Sequence, residues 1–94
     1  MIGKTDIPFF KKNIYIDEED GHPYLYNSIL SSFVVLDNDV SNNIVRLIDG
    51  KRNIKKIALT LSKQFDFPLD KICVDVCDMI EVLQKKDFLQ IKNT

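Results

Sequence analysis

Cys73 and Cys77, spaced four apart in CVDVC, are the side chains in this sequence best suited to holding a metal or a cluster. C-x3-C is the opening half of the three-cysteine motif with which radical S-adenosylmethionine enzymes ligate iron and sulfur, but the third position is Ile80. The segment also reads as helix where such a motif needs a loop. With two cysteines and one histidine, neither a tetrahedral zinc site nor a cysteine-ligated cluster can be completed within the chain unless carboxylates contribute. Both thiols are better read as small buried hydrophobes. His22 sits in a turn beside Pro23 with no cysteine or paired acid near it in sequence. The acids Asp17, Glu18, Glu19 and Asp20 read as a solvated turn. DGKRN lacks the glycines and the Lys-Ser/Thr of a phosphate loop, and no serine stands in a nucleophile-elbow setting. The sequence therefore predicts a protein that is not an enzyme, with no catalytic residues, metal or cofactor.

A chain of 94 residues is one small domain with room for a single core. The chain is expected to be cytoplasmic: no apolar run approaches the roughly 18 residues of a membrane span, no signal-peptide pattern opens it, and two cysteines make no secreted disulfide scaffold. A net charge of −1 hides an asymmetry: residues 1–50 carry four Lys/Arg against eight Asp/Glu, and residues 51–94 carry nine against six. Lys51, Arg52, Lys55, Lys56 and Lys63 form a run without an intervening acid. Such a run can touch phosphates or form a solvated helix face.

The elements that would position any site follow from periodicity. NIYID alternates, EEDG supplies a turn around Gly21, PYLYN continues, and Ser32 to Asp37 (SFVVLD) is β-branched and aromatic, so a three-stranded antiparallel meander is predicted. A helical stripe of Val40, Ile44, Leu47 and Ile48 follows, with Asn38 or Asp39 as N-cap and Gly50 beyond its end. Asn53 can cap a second helix (Ile54, Ile57, Ala58, Leu61, Phe65), which Pro68 stops, and Asp70 can cap a third, about Lys71 to Lys86. FLQIK is expected to be an extended tail docked by Phe88 and Leu89. On the third helix Ile72, Cys73, Val76, Cys77, Met79, Ile80 and Leu83 span an arc of roughly 160°, wider than the ~100° that seals a small core. The surplus can line a groove or pack between two layers.

The order of sheet and three helices predicts an α+β, winged helix-turn-helix-like fold, for which a DNA-binding transcriptional regulator is the alternative function. Against it, Lys71, Lys85 and Lys86 on the third helix are balanced by Asp75, Asp78, Glu81 and Asp87, so insertion between phosphates would release few counterions.

The segments FVVLDNDVSNNIVRLIDGKRNIKKIALTLSKQF and DVCDMIEVLQKKDFLQI resemble the PqqD family, the peptide-recognition elements of pathways for ribosomally made, post-translationally modified peptides. The resemblance covers about residues 10 to 91. It is carried by the order and spacing of Leu36–Asp37, Asp49–Gly50, Lys51–Asn53, Phe65, Asp75–Val76, Ile80 with Leu83, and Phe88–Leu89. The family's usual glycine before the last apolar pair is here Asp87.

The resemblance implies a stand-alone adaptor, or the same module cut from a larger enzyme. Such an adaptor binds the leader of a precursor peptide as an added strand beside the third helix. It presents the leader to a separate enzyme: a radical S-adenosylmethionine enzyme, an ATP-dependent cyclase component or a leader peptidase. In this chain Ser32, Phe33, Val34, Val35 and Leu36 would be the receiving edge, with Phe33 and Val35 on one face and Val34 and Leu36 on the other. Asp75, Met79, Val82 and Lys86 would form the opposite wall, with the Cys73 and Cys77 flank as the second choice. The first two helices would brace the third, and the basic run would steer an acidic leader.

Overall fold

The computed structural model describes residues 2–92 and contains five strands and three helices within them. Strand β1 (Ile7–Phe10) precedes a meander of β2 (Ile14–Glu19), β3 (His22–Asn27) and β4 (Ser32–Val35), then α1 (Asp39–Leu47), α2 (Ile54–Phe65), α3 (Leu69–Lys85) and β5 (Leu89–Lys92). The meander is an antiparallel sheet in the order β2-β3-β4. The α+β architecture of a three-stranded sheet followed by three helices is thus present. It has one addition: the terminal tail is a strand, paired antiparallel with β1 in a separate two-stranded ribbon. Sequence periodicity missed β1 because Ile-Pro-Phe-Phe shows no alternation and contains a proline, which is tolerated in so short a ribbon.

Local chemistry accounts for the connections. Glu19 pairs with His22 across a two-residue loop in which Asp20 (φ 53°) and Gly21 (φ 80°) are both left-handed, the backbone that a tight hairpin with matching twist needs. The β3–β4 turn is organised by Asn27, which is fully buried. Its Oδ1 accepts from the Ile29 and Leu30 N–H groups at 3.1 and 3.0 Å and from Asn13 Nδ2 at 2.7 Å, and its Nδ2 donates to the Asp87 carbonyl at 3.2 Å. One side chain thus ties the turn, the start of β2 and the end of α3 together.

Asn38 caps α1 through Ser41 N–H, and Asn53 caps α2 through Lys56 N–H, both at 2.8 Å. Asp70 does not cap α3. That helix begins at Leu69 after Pro68, without a side-chain cap, and Asp70 lies in the first turn, where its charge still favours the positive end of the helix dipole. Helix α2 ends at Phe65 with Asp66 left-handed (φ 56°), before Pro68 is reached.

One contiguous core joins all layers: Leu25 from the sheet, Leu36, Ile44, Val45 and Ile48 around α1, Ile54, Ile57, Ala58 and Leu61 from α2, Ile72, Val76, Ile80 and Leu83 from α3, then Phe88 and Leu89. No helix is long and apolar enough to cross a membrane among the described residues.

Candidate functional site

The sheet has two rims, β2 and β4, and hydrogen-bond phase distinguishes them. In an antiparallel pair, residues alternate between those whose N–H and C=O point at the partner and those whose groups point away. Leu36 N–H donates to the Pro23 carbonyl at 3.0 Å, and the register pairs Leu25 with Val34 and Asn27 with Ser32. Ser32, Val34 and Leu36 therefore direct their main-chain groups inward to β3. Phe33 and Val35, opposite Tyr26 and Tyr24, direct theirs off the free rim. The turn, cap and side-chain hydrogen bonds formed among the described residues leave these four outward groups alone.

The same reasoning applied to β2 gives a different result. Ser28 N–H donates to the Asn13 carbonyl, so Ile14, Ile16 and Glu18 point outward. Ile14 N–H is taken by the Lys11 carbonyl at 3.2 Å, and Glu18 N–H by the Asp17 carboxylate at 2.8 Å. Among the described residues Ile16 keeps both of its outward groups free, and carboxylates crowd the hairpin end of that rim, from Asp17 to Asp20. Charge and pre-emptive bonding are the usual ways of closing an edge to further pairing. The β4 rim carries no charge from Ser32 to Val35.

Beside the β4 rim lies an open groove of about 530 Å³. Its walls are Val34 and Val35 from β4, Asn38, Val40, Ser41 and Ile44 from the start of α1, and Asp75, Asp78, Met79 and Val82 from α3. The groove is apolar at its base, with two carboxylates on the α3 side. Val82 is 47% exposed, well beyond what packing in a core would leave. The wide stripe of α3 thus divides: Ile72, Val76, Ile80 and Leu83 seal the core while Met79 and Val82 face the groove.

Of the residues singled out from sequence, Val34, Val35, Asp75, Met79 and Val82 come together here. Phe33 contributes its main chain at the rim while its ring stands on the opposite face, 64% exposed. Ser32 pairs inward, Leu36 is buried in the core, and Lys86 is the exposed C-cap of α3 outside the groove lining. Cys73 and Cys77 lie on the other flank, half-buried against the core and outside the groove, with Lys4 near enough to act on Cys77. Burial pushes the Cys77 thiol up, and the neighbouring Cys73, Glu81 and Asp78 add to this. No group of three or more metal-ligating side chains converges among the described residues.

The contribution of α1 went unseen in the sequence. Asn38, Val40, Ser41 and Ile44 form the groove's third wall, so the helix does more than brace α3. The signal was the Val40–Ile44 stripe, which periodicity alone does not divide between core and groove.

The family pattern for coenzyme PQQ synthesis protein D (PqqD) matches residues 31–89, which hold β4, all three helices and the turn into β5. The chain belongs to the PqqD family. A curated relative, the PqqA binding protein of Rhizobium meliloti (strain 1021), is 33% identical over 54 residues. That alignment covers 57% of this chain and 55% of the relative, so the chain spans about half the length of the curated relative it matches.

Two solved structures share the fold of this PqqD-family chain. TbiB1 in complex with the TbiA(beta) leader peptide superposes with a TM-score of 0.76 at 16% identity, covering 87% of this chain and 94% of that one. Lasso peptide synthetase B1 complexed with the leader peptide gives 0.73 at 14% identity, covering 88% and 96%.

Proposed function

We propose that this PqqD-family chain binds the leader region of a ribosomally made precursor peptide by strand addition to β4 and presents it to a separate maturation enzyme. The observation that carries this reading is the open rim: four outward main-chain groups on Phe33 and Val35 beside a groove walled by α1 and α3. An extended guest would pair with that rim and send alternate side chains into the groove. The relative that binds PqqA and the two neighbours solved with leader peptides support the same class of partner.

Magnitudes divide the labour. Four main-chain hydrogen bonds at about 1 kcal/mol net each give roughly 4 kcal/mol, whereas micromolar to nanomolar recognition needs about 8 to 12 kcal/mol. The remainder must come from apolar guest side chains against Val34, Val40, Ile44, Met79 and Val82. Asp75 and Asp78 select for a guest with a lysine or arginine at the matching position. The chain supplies no reaction chemistry of its own in this reading. Its partners are a precursor peptide and an enzyme such as a radical S-adenosylmethionine enzyme, a cyclase or a leader peptidase.

A fluorescent leader peptide from a precursor gene beside that of this chain tests the reading by anisotropy. Binding in the nanomolar to micromolar range is expected. Val35→Pro removes an outward N–H without touching the β3 ladder and should weaken binding about tenfold or more while the fold persists. Unchanged affinity in a folded Val35→Pro protein would move the guest to another surface.

A further inference from the structure

The outer face of the sheet, turned away from the helices, is a concave surface distinct from the groove. Tyr24 and Tyr26 of β3 alternate with the buried Leu25 and Asn27, and their partners across the β4 register are Val35 and Phe33. Tyr15 of β2 pairs with Tyr26 and completes the row. Tyr15, Phe33 and Val35 are 56%, 64% and 54% exposed, and the Tyr24 and Phe33 rings meet edge to face with centroids 6.2 Å apart. Aromatic side chains and Val35 line a depression of about 460 Å³ that is closed at one end by Glu19, Asp20 and His22 of the hairpin tip.

Charge narrows what can cover this face. From residue 13 to residue 45, which includes the whole meander and most of α1, the sequence contains no lysine or arginine, while Asp17, Glu18, Glu19, Asp20, Asp37 and Asp39 are all acidic. The negative field is felt by the face itself: the Tyr24 hydroxyl is held above its ordinary range by desolvation first, then by Asp17 and Glu19, and it lies 3.5 Å from the Asp17 carboxylate. A second copy of the chain is a poor occupant. Symmetric pairing of the hairpin tips would bring their carboxylates together, and pairing with the basic run of α2 is head-to-tail, which leads to rings or open filaments rather than a closed pair.

We infer that the outer sheet face docks a second protein through a basic surface that lays an arginine on the Tyr24–Tyr26–Phe33 rings and against the Glu19–Asp20 carboxylates. Arginine suits both halves of the site, because its planar guanidinium stacks on ring faces and pairs with carboxylates in the same pose. The inference stands independently of peptide capture, since the two surfaces meet only along the β4 strand. A maturation enzyme held on this face would lie next to a guest strand on the rim, with Val35 the lining residue common to both surfaces.

The test is an amide NMR titration of the intact chain with hexa-arginine and, in parallel, hexa-lysine. Expected are shifts at Glu19 to His22, Tyr24, Tyr26 and Phe33 with hexa-arginine, tighter than with hexa-lysine, and silence at Val40, Asp78 and Met79. Phe33→Leu keeps apolar area but removes the ring and should weaken hexa-arginine by about two- to fivefold; Glu19→Gln with Asp20→Asn should weaken both peptides. Equal responses to the two peptides, confined to the hairpin acids and insensitive to Phe33→Leu, would reduce the face to diffuse charge and overturn the proposal. Concentration-dependent sedimentation that Phe33→Leu abolishes would overturn it in favour of a second copy. Failure of leader binding would leave the remote reporters Val40, Asp78 and Met79 unresponsive to leader peptide while this titration proceeds unchanged, so the two ideas fail separately.

Discussion

Asp87 closes α3 in the left-handed region (φ 68°), where a β-carbon is penalised and glycine is not. The side chain forms an exposed ion pair with Lys11, which offsets little of that cost. Asp87→Gly should therefore raise unfolding free energy by about 1 kcal/mol, since a left-handed L-residue costs roughly 1–2; denaturant titration showing destabilisation would contradict this. Asp49 behaves differently. Its Oδ1 accepts from the N–H groups of Arg52 and Lys51, both at 2.9 Å, and these bonds, helped by the Arg52 guanidinium, hold the carboxyl below its ordinary range. A lowered folded value means that the stabilisation is present at neutral pH and is lost as pH falls through that value. The melting temperature of the parent chain should thus fall more steeply than that of Asp49→Asn between about pH 5 and pH 2. Parallel slopes would show that the turn does not depend on this charge. The sequence already marked both positions, one as the exception to a glycine and one as part of Asp-Gly, but only the backbone angles and bonds say why each matters.

At the level of elements, α3 divides its surface between the core and the groove, and the division is testable side chain by side chain. Val82 and Val74 are both exposed valines on this helix, at 47% and 58%, but only Val82 lines the groove. Val82→Asp should weaken leader binding by about tenfold or more while Val74→Asp leaves it within about twofold, because only the first places an unpaired charge in a desolvating contact. Equal effects in the anisotropy titration would reassign the guest to another face of α3. Helix positions, caps at Asn38 and Asn53 and the order of the meander were legible in the sequence because each rests on local spacing. The β1–β5 ribbon and the α1 wall were not, since both are contacts between segments distant in sequence that no local period encodes. Lys86 was placed in the groove by extending the line of Asp75, Met79 and Val82 one further turn; the helix ends at Lys85 and that line ends with it.

For the whole molecule, the architecture separates tasks by layer. The helices and the inner sheet face form the core; in the proposed reading the β4 rim and groove receive an extended chain and the outer face a second protein. This separation suits the proposed adaptor. Its central claim is that the backbone of β4 makes the capture, and hydrogen exchange reads that backbone directly. In the free protein the amides of Phe33 and Val35, pointing off the rim, should exchange fast while Val34, bonded within the sheet, exchanges slowly. Saturation with leader peptide should protect Phe33 and Val35 by at least about tenfold and change Val34 little. Continued fast exchange at both Phe33 and Val35 in the fully bound protein would contradict the account.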